Sequence, residues 1–271
     1  MIQSFSLLHR LICFAFLIGM VGFSGCSWST WKESFYKSDV PVTDPQSEEA
    51  TEVPDPKESV AEKDELSPPD NATETTEEIP TSLNLGVLFY SQAPFGNWDM
   101  PYQEACEEAS LLLAHYYATN QSPTIYEFEQ DLLAMVDWEV ETFGQYEHTT
   151  IEQTAQIAKD YLHHDTVEIL DNPTVEQLKA ILAEGYPIVA PFAGRYLGNP
   201  YFTGEGPVYH MLVIRGYDET HFITNDVGTR HGENFIYSYD VLMNALHDWD
   251  DTAATDPEGI LEGDKRVLIL K

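Results

Sequence analysis

Three residue types that can carry out acyl transfer occur along this 271-residue chain in the order cysteine, histidine, aspartate: Cys106, His210 and Asp226. The other cysteines, Cys13 and Cys26, lie in the N-terminal leader, so the remainder keeps one thiol with no internal partner. A thiol attacks a carbonyl carbon as thiolate. The positive end of a helix and a nearby imidazole that takes the proton both favour that form. Cys106 stands in QEACEEASLLLAHYYAT, where Ala105, Ala109, Leu112, Leu113 and Tyr116 recur at helical spacing. A helix beginning near Gln103 places the sulfur in its first turn. Glu107 and Glu108 oppose a thiolate by like charge unless they turn to solvent on the far face.

His210 opens YHMLVIRGYD, the most apolar strand-like run, and Asp226 closes the next, FITND, 16 positions later. In an antiparallel pair turned near Asp218–Thr220, the start of one strand faces the end of the next. The carboxylate can then accept from one imidazole nitrogen, fixing the tautomer and stabilising the imidazolium. Asn225 is the alternative partner, because a shift of one residue in register exchanges the two.

The elements that must position these residues read as helices first and strands second. VLFYSQ (87–92) is a short strand-like run leading into the loop APFGNWDMP. After the cysteine helix, three capping boxes announce further helices: Thr124 with Glu127, Thr150 with Gln153, and Thr174 with Gln177. The last helix should stop at Gly185, with Pro187 close behind. IVAPF (188–192) reads as a buried strand, followed by a Gly/Pro/Tyr loop (194–207). VYHMLVIRGY, HFITND, NFIYSY and RVLIL then alternate with turn signals, as in an antiparallel sheet. VLMNALHDW (241–249) adds a late helix. A helical N-terminal half followed by a β-rich C-terminal half predicts an α+β fold.

Residues 1–26 read as a signal peptide: Arg10, the uncharged run LICFAFLIGMVGF, then SGC. FSGCS resembles a bacterial lipoprotein site, with Cys26 as the lipidated first residue; the alternative is an uncleaved membrane anchor. Residues 27–82 read as an acidic tether. Positions 38–82 hold 14 acidic residues against Lys57 and Lys63, seven prolines and no aromatic side chain. Such a stretch buries too little apolar surface to offset its ordering entropy, and its charges repel one another. Residues 83–271 form the domain, with 31 acidic and 8 basic residues and no internal disulfide. That balance excludes nucleic acid as a partner, since phosphate binding draws on clustered Lys and Arg. Localisation outside the cytoplasm follows from the leader, with the membrane reached through the lipid or the anchor.

VLFYSQAPFGNWDMPYQEACEEAS, GPVYHMLVIRGYD and FITNDVGTRHGENFIYSYDVLMNALHDW resemble, in order, three signature blocks of a papain-like group. These are bacterial cysteine peptidases related to the bacteriocin-processing, double-glycine-cleaving peptidases. The resemblance spans roughly 85–250 and implies a papain-like fold, with Cys106 as nucleophile, His210 as general base then acid, and Asp226 orienting His210. It also implies a glutamine that helps hold the oxyanion. Gln92 matches the family's strand-end glutamine, and Gln103 is the second candidate. The chain carries no ABC domain, which sets it apart from transporter-fused members and leaves export-coupled leader removal unsupported.

Peptide or protein is the implied substrate, with no cofactor. The same triad would serve a cell-wall peptide amidase or transpeptidase, and a non-catalytic peptide-binding module is the reading from another class. A covalent thiol probe separates the last from the enzymes. No metal is expected: His210, His221 and His231 lack ligand spacing, His163–His164 reads as a polar helix end, and DWDDTAATDPEG lacks a calcium loop's central glycine. Trp98, Tyr196 and Tyr201 flank the cleft in sequence, and Arg195, Arg215 and Arg230 are its nearest cations. So few cations favour a neutral or cationic peptide over an acidic one.

Overall fold

The runs rich in β-branched and aromatic residues become one antiparallel sheet in the computed structural model, which describes residues 79–271. The leader, Cys26 and all but the last four residues of the tether lie outside the described residues. The packed chain begins slightly before position 83, since the Pro80 carbonyl accepts from the Tyr217 hydroxyl at 3.0 Å.

The strands are β1 (Leu83–Asn84), β2 (Val167–Asp171), β3 (Ile188–Ala193), β4 (Tyr209–Tyr217), β5 (His221–Asn225), β6 (Phe235–Ser238) and β7 (Arg266–Leu270). Their order is β2-β7-β3-β4-β5-β6, with β1 pairing on β4. All nine residues of β4 are buried, so this central strand reads as a continuous apolar run rather than an alternating one. One expected strand is corrected and one unforeseen strand appears. The run 87–92 is extended but is not a strand: Val87 N–H turns back to the Leu85 carbonyl, and the segment is held by single bonds such as Asn225 Nδ2 to Leu88 O and Gln92 N–H to Val227 O rather than by a ladder. VEILD, which carried no distinct sequence signal, forms β2 because β7 is there to receive it.

The helices are α1 (Cys106–Ala118), α2 (Ile125–Phe143), α3 (Ile151–Gln156), α4 (Val175–Ala183) and α5 (Tyr239–Ala245). α3 continues into a π-helical turn, Ile157–Tyr161. All three capping boxes form, with Thr124, Thr150 and Thr174 each accepting from the N3 backbone N–H. Gly185 adopts a left-handed φ of 93° just past α4. α5 is shorter than the pattern suggested, because Leu246 leaves the helix to bridge Phe192 on β3.

α1 is the centre of the molecule. It lies on β3, β4 and β7 and is covered on its other side by α2. Ten of its thirteen residues are buried, including Leu111, Leu112, Leu113 and Tyr116. So enclosed a helix carries apolar residues around most of its circumference, and its polar residues Glu107, Glu108 and Ser110 are buried with them.

Candidate active site

β4 carries His210 as its second residue, and the backbone following β5 carries Asp226. The β4–β5 pairing matches Val213 with Asn225 and Tyr217 with Phe222, joined by the turn that Asp218 closes. His210 Nε2 lies 2.8 Å from Asp226 Oδ1. Nε2–H donates, so Nδ1 keeps its lone pair for a second partner.

Asp226 is fully buried and fully engaged. Oδ1 also accepts from Gly228 N–H at 3.1 Å, while Oδ2 accepts from Asn199 Nδ2 at 2.9 Å and from Tyr237 Oη at 2.5 Å. Burial alone would push this carboxyl up. Attraction to an imidazolium at His210 and the bonds from His210, Tyr237 and Asn199 outweigh it and hold Asp226 below its ordinary range. The imidazole is boxed in as well. Phe202 meets it edge-on at 5.3 Å, and a Cβ on Gly228 would come within 2.8 Å of Cε1.

Cys106 is the first residue of α1, after a 3-10 turn over Tyr102–Glu104. Its N–H is therefore among the donors that the helix cannot satisfy. Cys106 and His210 line the same cleft of about 1060 Å³. The N–H of Met211, the residue after His210, is directed at the sulfur. Of the two alternatives for the neighbouring glutamates, opposition to the thiolate is the one that holds. Glu107 and Glu108 do not face solvent, because α1 has no wet face in its first turn; both are buried. The Cys106 thiol donates to Glu107 Oε2 at 2.9 Å. Burial, then the Glu107 charge and bond, push the thiol well above its ordinary range, against a smaller lowering by Met211 N–H. These surroundings favour the thiol over the thiolate.

Gln92 is buried and lines the cleft, with Nε2 held by the carbonyls of Tyr102 at 2.9 Å and Gln103 at 3.0 Å. The two glutamine candidates thus meet: the backbone of one grips the side chain of the other. The Gln103 side chain is exposed at the cleft edge and donates to Glu104 Oε1 at 3.2 Å. Asn225 is excluded as the partner of His210. It points to Arg215 and to the carbonyls of Val87 and Leu88, tying the segment before the cleft to the sheet.

Of the flanking aromatics, Trp98 and Tyr201 line the cleft, while the Tyr196 hydroxyl bonds Glu258. Arg195 pairs with Glu205 and Arg215 is consumed by Asn84, Leu85 and Asn225, which leaves Arg230 as the arginine in the lining. His221 sits at the Asp218 turn and His231 stacks on Tyr201. Among the described residues no three His, Cys, Asp or Glu are grouped to hold a metal ion, and no helix is long and apolar enough to cross a membrane. Sequence reasoning missed Asn199 and Tyr237. Tyr237 at least left a trace, a phenol at an inward-facing position of NFIYSY.

The model of the family described as Peptidase_C39 like family matches residues 84–256. No curated protein matches. Among solved structures, one described as a C39-like peptidase from Bacillus anthracis is similar at 18% identity and a TM-score of 0.47, covering 71% of this chain and 98% of that one. Xylellain, a cysteine protease from Xylella fastidiosa, is similar at 14% identity and a TM-score of 0.41, covering 71% and 86%.

Proposed function

The chain belongs to the Peptidase_C39 like family and is a cysteine peptidase of papain-like α+β fold; from that premise we propose that it hydrolyses peptide bonds outside the cytoplasm through an S-acyl intermediate on Cys106. The observation that carries the assignment is the 2.8 Å bond from His210 to a saturated Asp226, in the cleft that Cys106 also lines.

In this reading His210 Nδ1 takes the Cys106 proton and the sulfur attacks the scissile carbonyl carbon. Asp226 stabilises the imidazolium formed. The Cys106 backbone N–H faces the oxygen as it gains charge, and Gln92, whose two amide hydrogens are held by the Tyr102 and Gln103 carbonyls, turns one of them to that oxygen. The imidazolium then gives its proton to the leaving amine. Water, deprotonated by the same nitrogen, cleaves the thioester and restores the thiol. The leader places the domain at the membrane, with Cys26 as the lipidated residue and 27–82 as spacer. The substrate is a neutral or cationic peptide, since the cleft lining holds Arg230 as its arginine and lies on a strongly acidic domain.

The test is cleavage-site profiling of a peptide mixture by the full-length protein against Cys106→Ala. New amine termini that appear with the first protein and not the second support hydrolysis; identical digests overturn it.

A further inference from the structure

Behind the sulfur, α1 and α2 bury three carboxyl groups that the acyl-transfer steps leave unused: Glu107, Glu108 and Glu139, none more than 2% exposed. They are linked to the nucleophile in a chain. The Cys106 thiol donates to Glu107 Oε2 at 2.9 Å, and Thr149 N–H donates to Glu107 Oε1 at 3.1 Å. Thr149 Oγ1 lies 2.9 Å from Glu139 Oε2 and 2.9 Å from the Tyr146 carbonyl.

Counting protons along this chain assigns the charge. Thr149 has one hydroxyl proton, and a carbonyl can only accept. The arrangement closes when Thr149 donates to Tyr146 and Glu139, as the neutral acid, donates to Thr149. Glu108 sits beside Glu139 with no donor to stabilise a charge on it, and burial, then the Glu139 and Glu107 charges, push it well above its ordinary range. Glu107 differs. Both its oxygens accept, as a carboxylate's do, and it is the member in contact with the sulfur.

We propose that Glu107 is a positioning residue that governs the proton on Cys106. As a carboxylate it accepts the S–H and keeps the sulfur a thiol. As a carboxylic acid it donates to the sulfur and favours thiolate. The step balances as a proton relay. One proton from solvent joins Glu107, the S–H proton passes to His210 Nδ1, and the Glu107 O–H takes its place on Sγ. This inference rests on the assignment of Cys106 as nucleophile.

The surroundings leave Glu107 free to titrate near neutrality. The groups facing it are Cys106 and Glu108 from α1, Glu104 from the preceding turn, Glu139 from α2, Tyr146 and the Thr149 backbone from the loop before α3, and Tyr209 from β4 with its partner Asp248. None is Lys or Arg. Burial pushes Glu107 up to about 7, with Glu104 adding to the rise and the bonds from Cys106 and Thr149 opposing it.

The experiment follows iodoacetamide labelling of Cys106 in the full-length chain across pH, read by peptide mass spectrometry, in wild type and Glu107→Gln. A hydrogen bond to a charged group supports an expected fall of about tenfold in the wild-type rate from about pH 6 to about pH 8. Glu107→Gln should show no such fall, since its amide donates at every pH. Superposable profiles overturn the proposal and leave Cys106 a nucleophile. Labelling only after denaturation removes the nucleophile and the proposal with it. Should the variant not fold, the ultraviolet thiolate absorbance of wild type minus Cys106→Ser decides alone. A decrease with rising pH across that interval supports Glu107, and a steady increase overturns it.

Discussion

His210 has a second layer of support that no sequence pattern displays. Asn199 and Tyr237 both bond Asp226 Oδ2, from a loop and from the outer strand β6. Tyr237→Phe leaves that oxygen short of one donor in a buried site. The expected cost is about 1–3 kcal/mol of stability, read by denaturant unfolding. Asp226→Asn removes the charge that the imidazolium needs and disturbs its tautomer; kcat for peptide cleavage should fall by about 10²-fold or more. The two glutamines separate in the same assay. Gln92→Ala should lose about 10²–10³ in rate and Gln103→Ala much less, because only the Gln92 side chain is buried beside the helix start. Cys106, His210 and Asp226 were legible because their types are rare or sit at strand ends. Glu107 was legible as an opposing charge, but its burial was not, since burial depends on what covers α1.

At the scale of elements, local rules were obeyed where local interactions decide. The three capping boxes and the Gly185 stop form where the sequence places them. Thr174→Ala removes the N-cap of α4 far from the cleft. Stability should drop by about 1 kcal/mol by denaturant unfolding, with kcat unchanged. Elements depending on distant partners departed from their local signal. Residues 87–92 have strand composition, yet form no ladder and are tied instead by the Asn225 side chain, which donates to the Val87 and Leu88 carbonyls. β2 has a weak signal and forms through β7, almost a hundred residues away.

For the whole molecule, the buried acids make an unusual pH dependence of stability. Burial raises Glu139 to about 8, Glu107 to about 7 and Asp248 to about 6. The folded state therefore holds protons that the unfolded state releases. Their contribution is fully present below the ordinary carboxylate range and is lost as pH rises through those values. Asp226, lowered, acts oppositely and loses its contribution only as pH falls. Unfolding free energy should decline by about 3 kcal/mol or more from about pH 5 to about pH 8, and Glu139→Gln should flatten that decline. A flat profile in wild type would mean that these carboxyls ionise inside the fold. The sequence by itself determined the chain order of thiol, imidazole and carboxylate, the α+β division and the three capped helix starts, because these rest on residue type, on capping boxes and on periods of two and 3.6. Only the tertiary structure decided that the first turn of α1 has no wet face. That burial set two adjacent glutamates against the sulfur, with Glu107 in contact with it and Glu108 behind, because a charge's cost is set by neighbours brought from elsewhere in the chain.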